Sequence, residues 1–259
     1  MARINVIGAS GTGKSHFAGT LLETIVPDFD IAVHFDIEDE EGGLCMGDDP
    51  LYQTYRVEVE EAERIHWVNL IANHKKIRLV PEGFTVDEQQ RLYAVICYSV
   101  MKLCKDHKPE WTAFVSCDEA HNLVNQSAFD QRVERMITGG RKHGVECLHI
   151  SQRPQLLHTT VISQSDKRVY FSIGDDNDIG KISKVSSFNA DLLDSLPDRC
   201  CIVENRSTGE YKCLVTDPEY KQYVPATIKN QMAVEVDDKE RQRPHLSGDD
   251  GIADAAFPV

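Results

Sequence analysis

Gly8-Ala9-Ser10-Gly11-Thr12-Gly13-Lys14-Ser15 fits the pattern G-x-x-x-x-G-K-[ST] at every fixed position, and its surroundings are those the pattern requires. Ile4-Asn5-Val6-Ile7 before it is a short apolar run that reads as a buried strand. Ser15-His16-Phe17-Ala18-Gly19-Thr20-Leu21-Leu22 after it has helical spacing. A glycine-rich loop between strand and helix turns tightly enough to aim backbone N–H groups at phosphate oxygens, and the helix N-terminus adds its positive dipole end. Lys14 is placed to reach the β- and γ-phosphates of a nucleotide, and the Ser15 hydroxyl to ligate Mg2+. Gly8, Ala9, Ser10, Gly11, Thr12, Gly13, Lys14 and Ser15 are therefore the candidate nucleotide-binding set, with ATP and Mg2+ as expected ligands.

Downstream, apolar strand-like runs alternate with helical periodicity. Ile31–Phe35 reads as a strand ending at the acidic cluster Asp36-Ile37-Glu38-Asp39, a helix is expected near Glu60–Asn73 and a strand near Ile77–Val80. Thr85–Lys105 carries the clearest helical pattern, Trp111–Cys117 reads as a strand, Ser127–Thr138 as a helix stopped by Gly139-Gly140, and Val145–Ile150 as a strand. Further strands are expected at Arg168–Ile173, Arg199–Glu204 and Glu210–Val215, the last two joined in hairpin fashion. The alternation predicts an α/β fold, a mainly parallel sheet with helices on both faces and an antiparallel edge hairpin. One domain over residues 1–234 is expected, then an acidic, disordered tail over 235–259 that is poor in apolar periodicity.

Phe114-Val115-Ser116-Cys117-Asp118-Glu119 is a strand delivering two consecutive carboxylates at its end. Successive strand side chains point to opposite faces, so the two have separate tasks: Asp118 on the Mg2+ shell, Glu119 polarising an attacking water. Read alone, the pair could simply begin a solvated loop. Gln152, at the tip of the next strand, is a candidate γ-phosphate sensor or part of a turn before Pro154. Arg141, in the basic loop Gly139-Gly140-Arg141-Lys142-His143-Gly144, is the candidate arginine finger, with Lys142 and Arg135 as lesser candidates; the same cations could merely complement a helix C-terminus. Asp36 could join the metal-water network or belong to a solvated acidic loop.

The 259 residues carry a formal charge of −14, which counts against a sequence-independent nucleic-acid coat and confines any DNA contact to local patches. Lys75-Lys76-Ile77-Arg78 is one such patch, or a solvated face. No apolar run approaches the ~18 residues of a membrane span, and the N-terminus lacks a signal peptide's apolar core, so a soluble, cytoplasmic protein without zinc or disulfides is expected.

The ordered set Asp118-Glu119-Ala120-His121-Asn122-Leu123, Gly140-Arg141-Lys142-His143-Gly144 and Ser151-Gln152-Arg153-Pro154, downstream of the phosphate loop, resembles the HerA/FtsK superfamily of DNA-pumping ATPases. The resemblance implies a RecA-like ASCE core acting as a hexameric ring around double-stranded DNA. The implied roles are Lys14 and Ser15 for phosphate and Mg2+, Asp118 for the metal, Glu119 as catalytic base, Gln152 as sensor and Arg141 as a finger acting on the neighbouring subunit. Because the chain reaches Gly8 almost at once, it looks most like the packaging ATPases of membrane-containing icosahedral viruses, with a capsid or vertex protein as a further partner and virion association an open alternative. A Zot-like morphogenesis ATPase, or a nucleotide-dependent switch without translocation, is the competing expectation. His121 completes an Asp-Glu-Ala-His string that also resembles superfamily 2 helicases, a likeness read as accidental since no second RecA-like domain is visible.

Overall fold

The computed structural model describes residues 3–127 and 129–216. The tail expected from Glu235 onward, and the last residues of the expected motor domain, lie outside the described residues. In chain order the elements are β1 (Arg3–Ile7), α1 (Lys14–Ile25), β2 (Ile31–Phe35), β3 (Gln53–Glu58), α2 (Val59–Ala62), α3 (Trp67–His74), β4 (Lys76–Glu82), α4 (Val86–Asp106) and β5 (Ala113–Cys117). They continue with α5 (Ala120–Leu123), α6 (Gln131–Gly139), β6 (Val145–Ser151), α7 (Thr159–Gln164), β7 (Lys167–Tyr170), α8 (Asp176–Ile182), β8 (Cys200–Asn205) and β9 (Tyr211–Val215).

The nine strands form one sheet in the order β3-β4-β2-β5-β6-β1-β7-β8-β9. β1 to β7 run parallel, while β8 pairs antiparallel with both β7 and β9. Parallel pairing needs crossover connections that place helices on the sheet faces, so the inner strands are covered on both sides. β2 and β5 are accordingly buried at every position. Alternate side chains divide the core into two clusters. Ile7, Val33, Phe35, Val115 and Cys117 pack against α3, α4, α6 and α7, whereas Val6, Ala32, Phe114, Leu148 and Ile150 pack with Ala18 and Leu22 of α1.

α4 begins with a capping box: the Thr85 hydroxyl accepts from the Glu88 N–H, and the Glu88 carboxylate accepts from the Thr85 N–H. The single helix expected near Glu60–Asn73 is two helices, α2 and α3, and β3 was not foreseen. β3 lies at the sheet edge, so its outward residues are polar and Gln53-Thr54-Tyr55-Arg56-Val57-Glu58 lacks the apolar run of a central strand.

The parallel register carries the ends of β1, β2, β5 and β6 to one edge of the sheet, where open α/β sheets bind ligands. β6 lies between the strand that leads into the phosphate loop and the strand that leads into Asp118-Glu119. Gln152 therefore emerges between the two.

Candidate functional site

The phosphate loop is held by backbone hydrogen bonds from both neighbouring strands: Gly8 N–H donates to the Ser151 carbonyl at 3.3 Å and Ala9 N–H to the Ser172 carbonyl at 2.8 Å. Two glycines take left-handed backbone angles, Gly11 at φ +79° and Gly13 at φ +104°, which L side chains resist. Gly8 is required for a different reason. A Cβ there would press into Phe171 Cβ and stand only 3.2 Å from Phe171 Cα and 3.1 Å from Thr12 Oγ1. The loop is also braced inside, with Thr12 Oγ1 donating to the Ala9 carbonyl at 2.8 Å.

Lys14 is buried at the first turn of α1, and its Nζ donates to the Ala9 carbonyl at 2.9 Å, spanning the loop from within. Burial lowers its pKa, opposed by the negative charges of Asp118, Glu119 and Glu40. Asp118 continues the face of β5 that carries Phe114 and Ser116, so it points to the side covered by α1. Its Oδ1 accepts from the Glu119 N–H at 2.7 Å. Burial, then the neighbouring Glu119 carboxylate, raise its pKa to about 7.

Glu119 adopts a left-handed backbone, φ +44° and ψ 43°, at the N-cap of α5, a conformation that costs about 1 kcal/mol or more for a residue with a Cβ. Its Oε1 accepts a hydrogen bond from Gln152 Nε2. Its Oε2 is buried with no hydrogen-bond partner among the described residues, 3.1 Å from His121 Nδ1. Burial raises the Glu119 pKa. The structure therefore brings together Gly8 through Ser15, Asp118, Glu119 and Gln152 at one sheet edge. The two carboxylates have different surroundings.

Two expectations differ. Asp36 is not part of a solvated loop: it is buried and ion-paired with Arg78 at 2.8 Å, and it accepts from the backbone N–H of Glu41 at 2.8 Å and of Glu40 at 3.2 Å. Burial works to raise its pKa, but the Arg78 guanidinium, together with His34 and the Glu41 N–H, holds it below the ordinary carboxylate value. Arg78 is thereby lost to the basic patch at 75–78: it is 1 % exposed and also pairs with Asp39. Lys75, for its part, sits 5.0 Å over the Trp111 ring. His121 Nδ1 lies 3.1 Å from Glu119 Oε2.

Arg141 is not brought to the phosphate loop of its own chain. It sits in a 3-10 turn leading into β6, at the opposite edge of the sheet, half-exposed and 3.5 Å from Asp166. Arg135 and Lys142 are exposed in the same region. One residue next to the loop was missed. Arg199, left-handed at φ +62°, donates its N–H to the Thr12 carbonyl at 3.1 Å just before β8. Nothing in Asp198-Arg199-Cys200 marks it, because the contact arises from the antiparallel return of β8 beside β7.

The site fits a magnesium nucleotide. Its cradle lacks side chains where a Cβ would intrude, a lysine spans the loop, and the donors near the loop are hard oxygens, a hydroxyl and a carboxylate, as Mg2+ prefers. Among the described residues no group of three or more His, Cys, Asp or Glu side chains could hold a metal, so Mg2+ would rest on Ser15, Asp118 and the phosphates themselves. Among the described residues no helix is long and apolar enough to cross a membrane.

No protein-family model and no curated protein sequence matches the chain. Solved structures do resemble it in fold. The genome packaging NTPase B204 from Sulfolobus turreted icosahedral virus 2, in complex with ATP-gammaS, superposes with a TM-score of 0.60 at 14% identity, over 82% of this chain and 95% of that one. The bacterial conjugative coupling protein TrwB gives 0.61 at 12% identity, over 86% of each chain. The pCW3 conjugation coupling protein TcpA gives 0.51 at 15% identity, over 90% of this chain and 65% of that one. The chain thus has a RecA-like P-loop NTPase fold, shared with these solved structures.

Proposed function

We propose that this chain hydrolyses ATP with Mg2+ and uses the energy to move double-stranded DNA, working as a homo-oligomeric ring, a hexamer, that packages viral or mobile-element DNA. The observation that carries the hydrolytic part is the convergence of Lys14, Asp118, Glu119 and Gln152, with Glu119 Oε2 buried and without a hydrogen-bond partner among the described residues, beside the phosphate loop. Loop N–H groups and Lys14 bind the phosphates. Ser15 and Asp118 would hold Mg2+, which would neutralise phosphate charge when bound. Glu119 accepts a proton from water as the water oxygen attacks the γ-phosphorus and the bond to the β-phosphate oxygen breaks. Gln152, bonded to that carboxylate, reports the γ-phosphate to the base.

The arginine reading requires a neighbour. Arg141 and the phosphate loop sit at opposite sheet edges, so a head-to-tail contact that brings one subunit's edge to the next subunit's site is the arrangement in which Arg141 reaches a phosphate, and such a heterologous contact gives a ring where its rotation closes. The packaging task, and with it a capsid or vertex protein as partner, is supported by similarity in fold to a genome packaging NTPase. A second reading, a Zot-like assembly ATPase or nucleotide switch without translocation, is favoured by one observation. The chain is acidic overall, and the best basic stretch loses Arg78 to a buried ion pair.

Steady-state ATP hydrolysis with and without linear duplex DNA separates the two readings. Stimulation by DNA, lost in Glu119→Gln by about 10²-fold or more in kcat, is expected of the translocase. ATP turnover indifferent to DNA, in a preparation that forms rings, would transfer the proposal to the switch.

A further inference from the structure

We propose that His121 is a positioning residue for hydrolysis: its ring, anchored to the tip of β6 through Ser151, holds the Glu119 carboxylate so that Oε2 faces the attacking water. The inference rests on Glu119 being the base.

Residues two apart in an ordinary helix point away from each other, so nothing in Glu119-Ala120-His121 predicts contact. The left-handed backbone at Glu119, φ +44°, turns its side chain back over the first turn of α5. His121 Nδ1 then lies 3.1 Å from Glu119 Oε2, with both side chains only 10% exposed. The same Nδ1 is 3.3 Å from Ser151 Oγ, which accepts from the Arg153 N–H at 3.2 Å. Nδ1 thus has two oxygens in reach. Its hydrogen-bond partner is Ser151 Oγ, while toward Oε2, which has no hydrogen-bond partner among the described residues, the ring makes a close contact, so it stays wedged between β6 and Glu119.

Gln152 secures Oε1 and leaves the carboxylate able to pivot about that bond. The His121 ring blocks the pivot on the Oε2 side. Ser151 and Gln152 are consecutive, so one strand tip grips both sides of the base. Misplacing a reacting group by about 1 Å can cost about 10²-fold in rate, and that is the loss the wedge prevents. Burial, with Arg153 adding to it, holds the His121 pKa near 4, so the ring acts as a neutral body that an amide can imitate.

The test uses the full chain and compares His121→Leu with His121→Asn, which have similar volume but differ in hydrogen bonding. Steady-state hydrolysis is measured together with equilibrium binding of a fluorescent ATP analogue. His121→Leu should lower kcat by about 10- to 100-fold while KM and analogue affinity change less than about threefold, because the loss is confined to the chemical step. His121→Asn, whose amide can sit close to the Nδ1 position, should recover most of the rate. Wild-type turnover in His121→Leu, a parallel loss of affinity, or Asn no better than Leu would each overturn the proposal. Should His121→Leu fail to fold, His121→Asn against His121→Gln decides: the longer Gln displaces the amide, so equal rates overturn it. Wild-type turnover in Glu119→Gln would remove the base assignment and this inference with it, whereas turnover indifferent to DNA removes only the translocase reading.

Discussion

Replacing Gly8 by alanine adds one methyl group at the point where the phosphate loop rests on the chain following β7. That methyl meets Phe171 Cβ far inside the 3.0 Å that Cβ atoms essentially never breach, with Phe171 Cα at 3.2 Å and Thr12 Oγ1 at 3.1 Å. Phe171 Cβ is fixed to its backbone, and Phe171 N–H donates to the Ile7 carbonyl at 2.7 Å, so no side-chain rotation relieves the clash. The loop and the Phe171 backbone must separate by about 1 Å, a distortion at the upper end of the ~1–3 kcal/mol that overpacking costs. The displaced segment also carries the Gly8 and Ala9 hydrogen bonds to Ser151 and Ser172. Urea unfolding of Gly8→Ala should show a midpoint lowered by an amount equivalent to about 2–3 kcal/mol, and binding of a fluorescent ATP analogue should fall at least tenfold in the folded fraction. Gly180 in α8 is the internal control, because a Cβ there meets nothing within 4 Å. Gly180→Ala should leave ATP binding intact and stabilise by about 0.5–1 kcal/mol through helix propensity. A Gly8→Ala protein with wild-type midpoint and wild-type ATP affinity would refute the account of this contact.

Other outcomes follow from the same geometry. Arg78→Met leaves Asp36 buried without its cation and should cost about 3–5 kcal/mol by chemical denaturation, whereas an unchanged midpoint would show that the pair contributes nothing. Asp118 has a folded-state pKa of about 7, above its ordinary 3.8, so the nucleotide-free fold binds more protons than the unfolded chain between those values. Stability from this group is full below about pH 4 and declines by up to about 1.4 kcal/mol per unit as pH rises to 7. Asp118→Asn should flatten that decline while abolishing Mg2+-dependent hydrolysis, and apparent Mg2+ affinity of the wild type should rise with pH and level off above about 7. Arg141→Ala mixed with Lys14→Ala subunits should recover turnover, since each mutant supplies what the other lacks across a subunit contact; no recovery in mixed rings that form would remove Arg141 from the finger role.

The helices and central strands were legible because their residues obey short-range periodicities. Thr85–Lys105 differs from α4 by one residue at each end, since a capping box and a continuous apolar face are local signals. The break between α2 and α3 was not legible, because both segments carry apolar residues at helical spacing and only packing decides where the chain turns. β3 escaped for a related reason: an edge strand exchanges one apolar face for solvent, and its residues read as a loop.

At the site, sequence determined identities and tertiary structure determined partners. The loop from Gly8 to Ser15 and the Asp118-Glu119 pair declare themselves because phosphate binding and water activation need those residue types in fixed local order. The destination of Asp36 depended on β2 and β4 lying side by side, which places His34 opposite Arg78 and Asp36 within reach of a guanidinium from a residue 42 positions away. Arg199 meets the phosphate loop only because β8 returns beside β7. His121 touches Glu119 only because one residue adopts a left-handed backbone angle and β6 lies between β1 and β5. Periodicity along a chain encodes which face of an element is buried; it carries no information about which distant polar group will be waiting there, and in this protein those long-range pairings hold the candidate site residues in place.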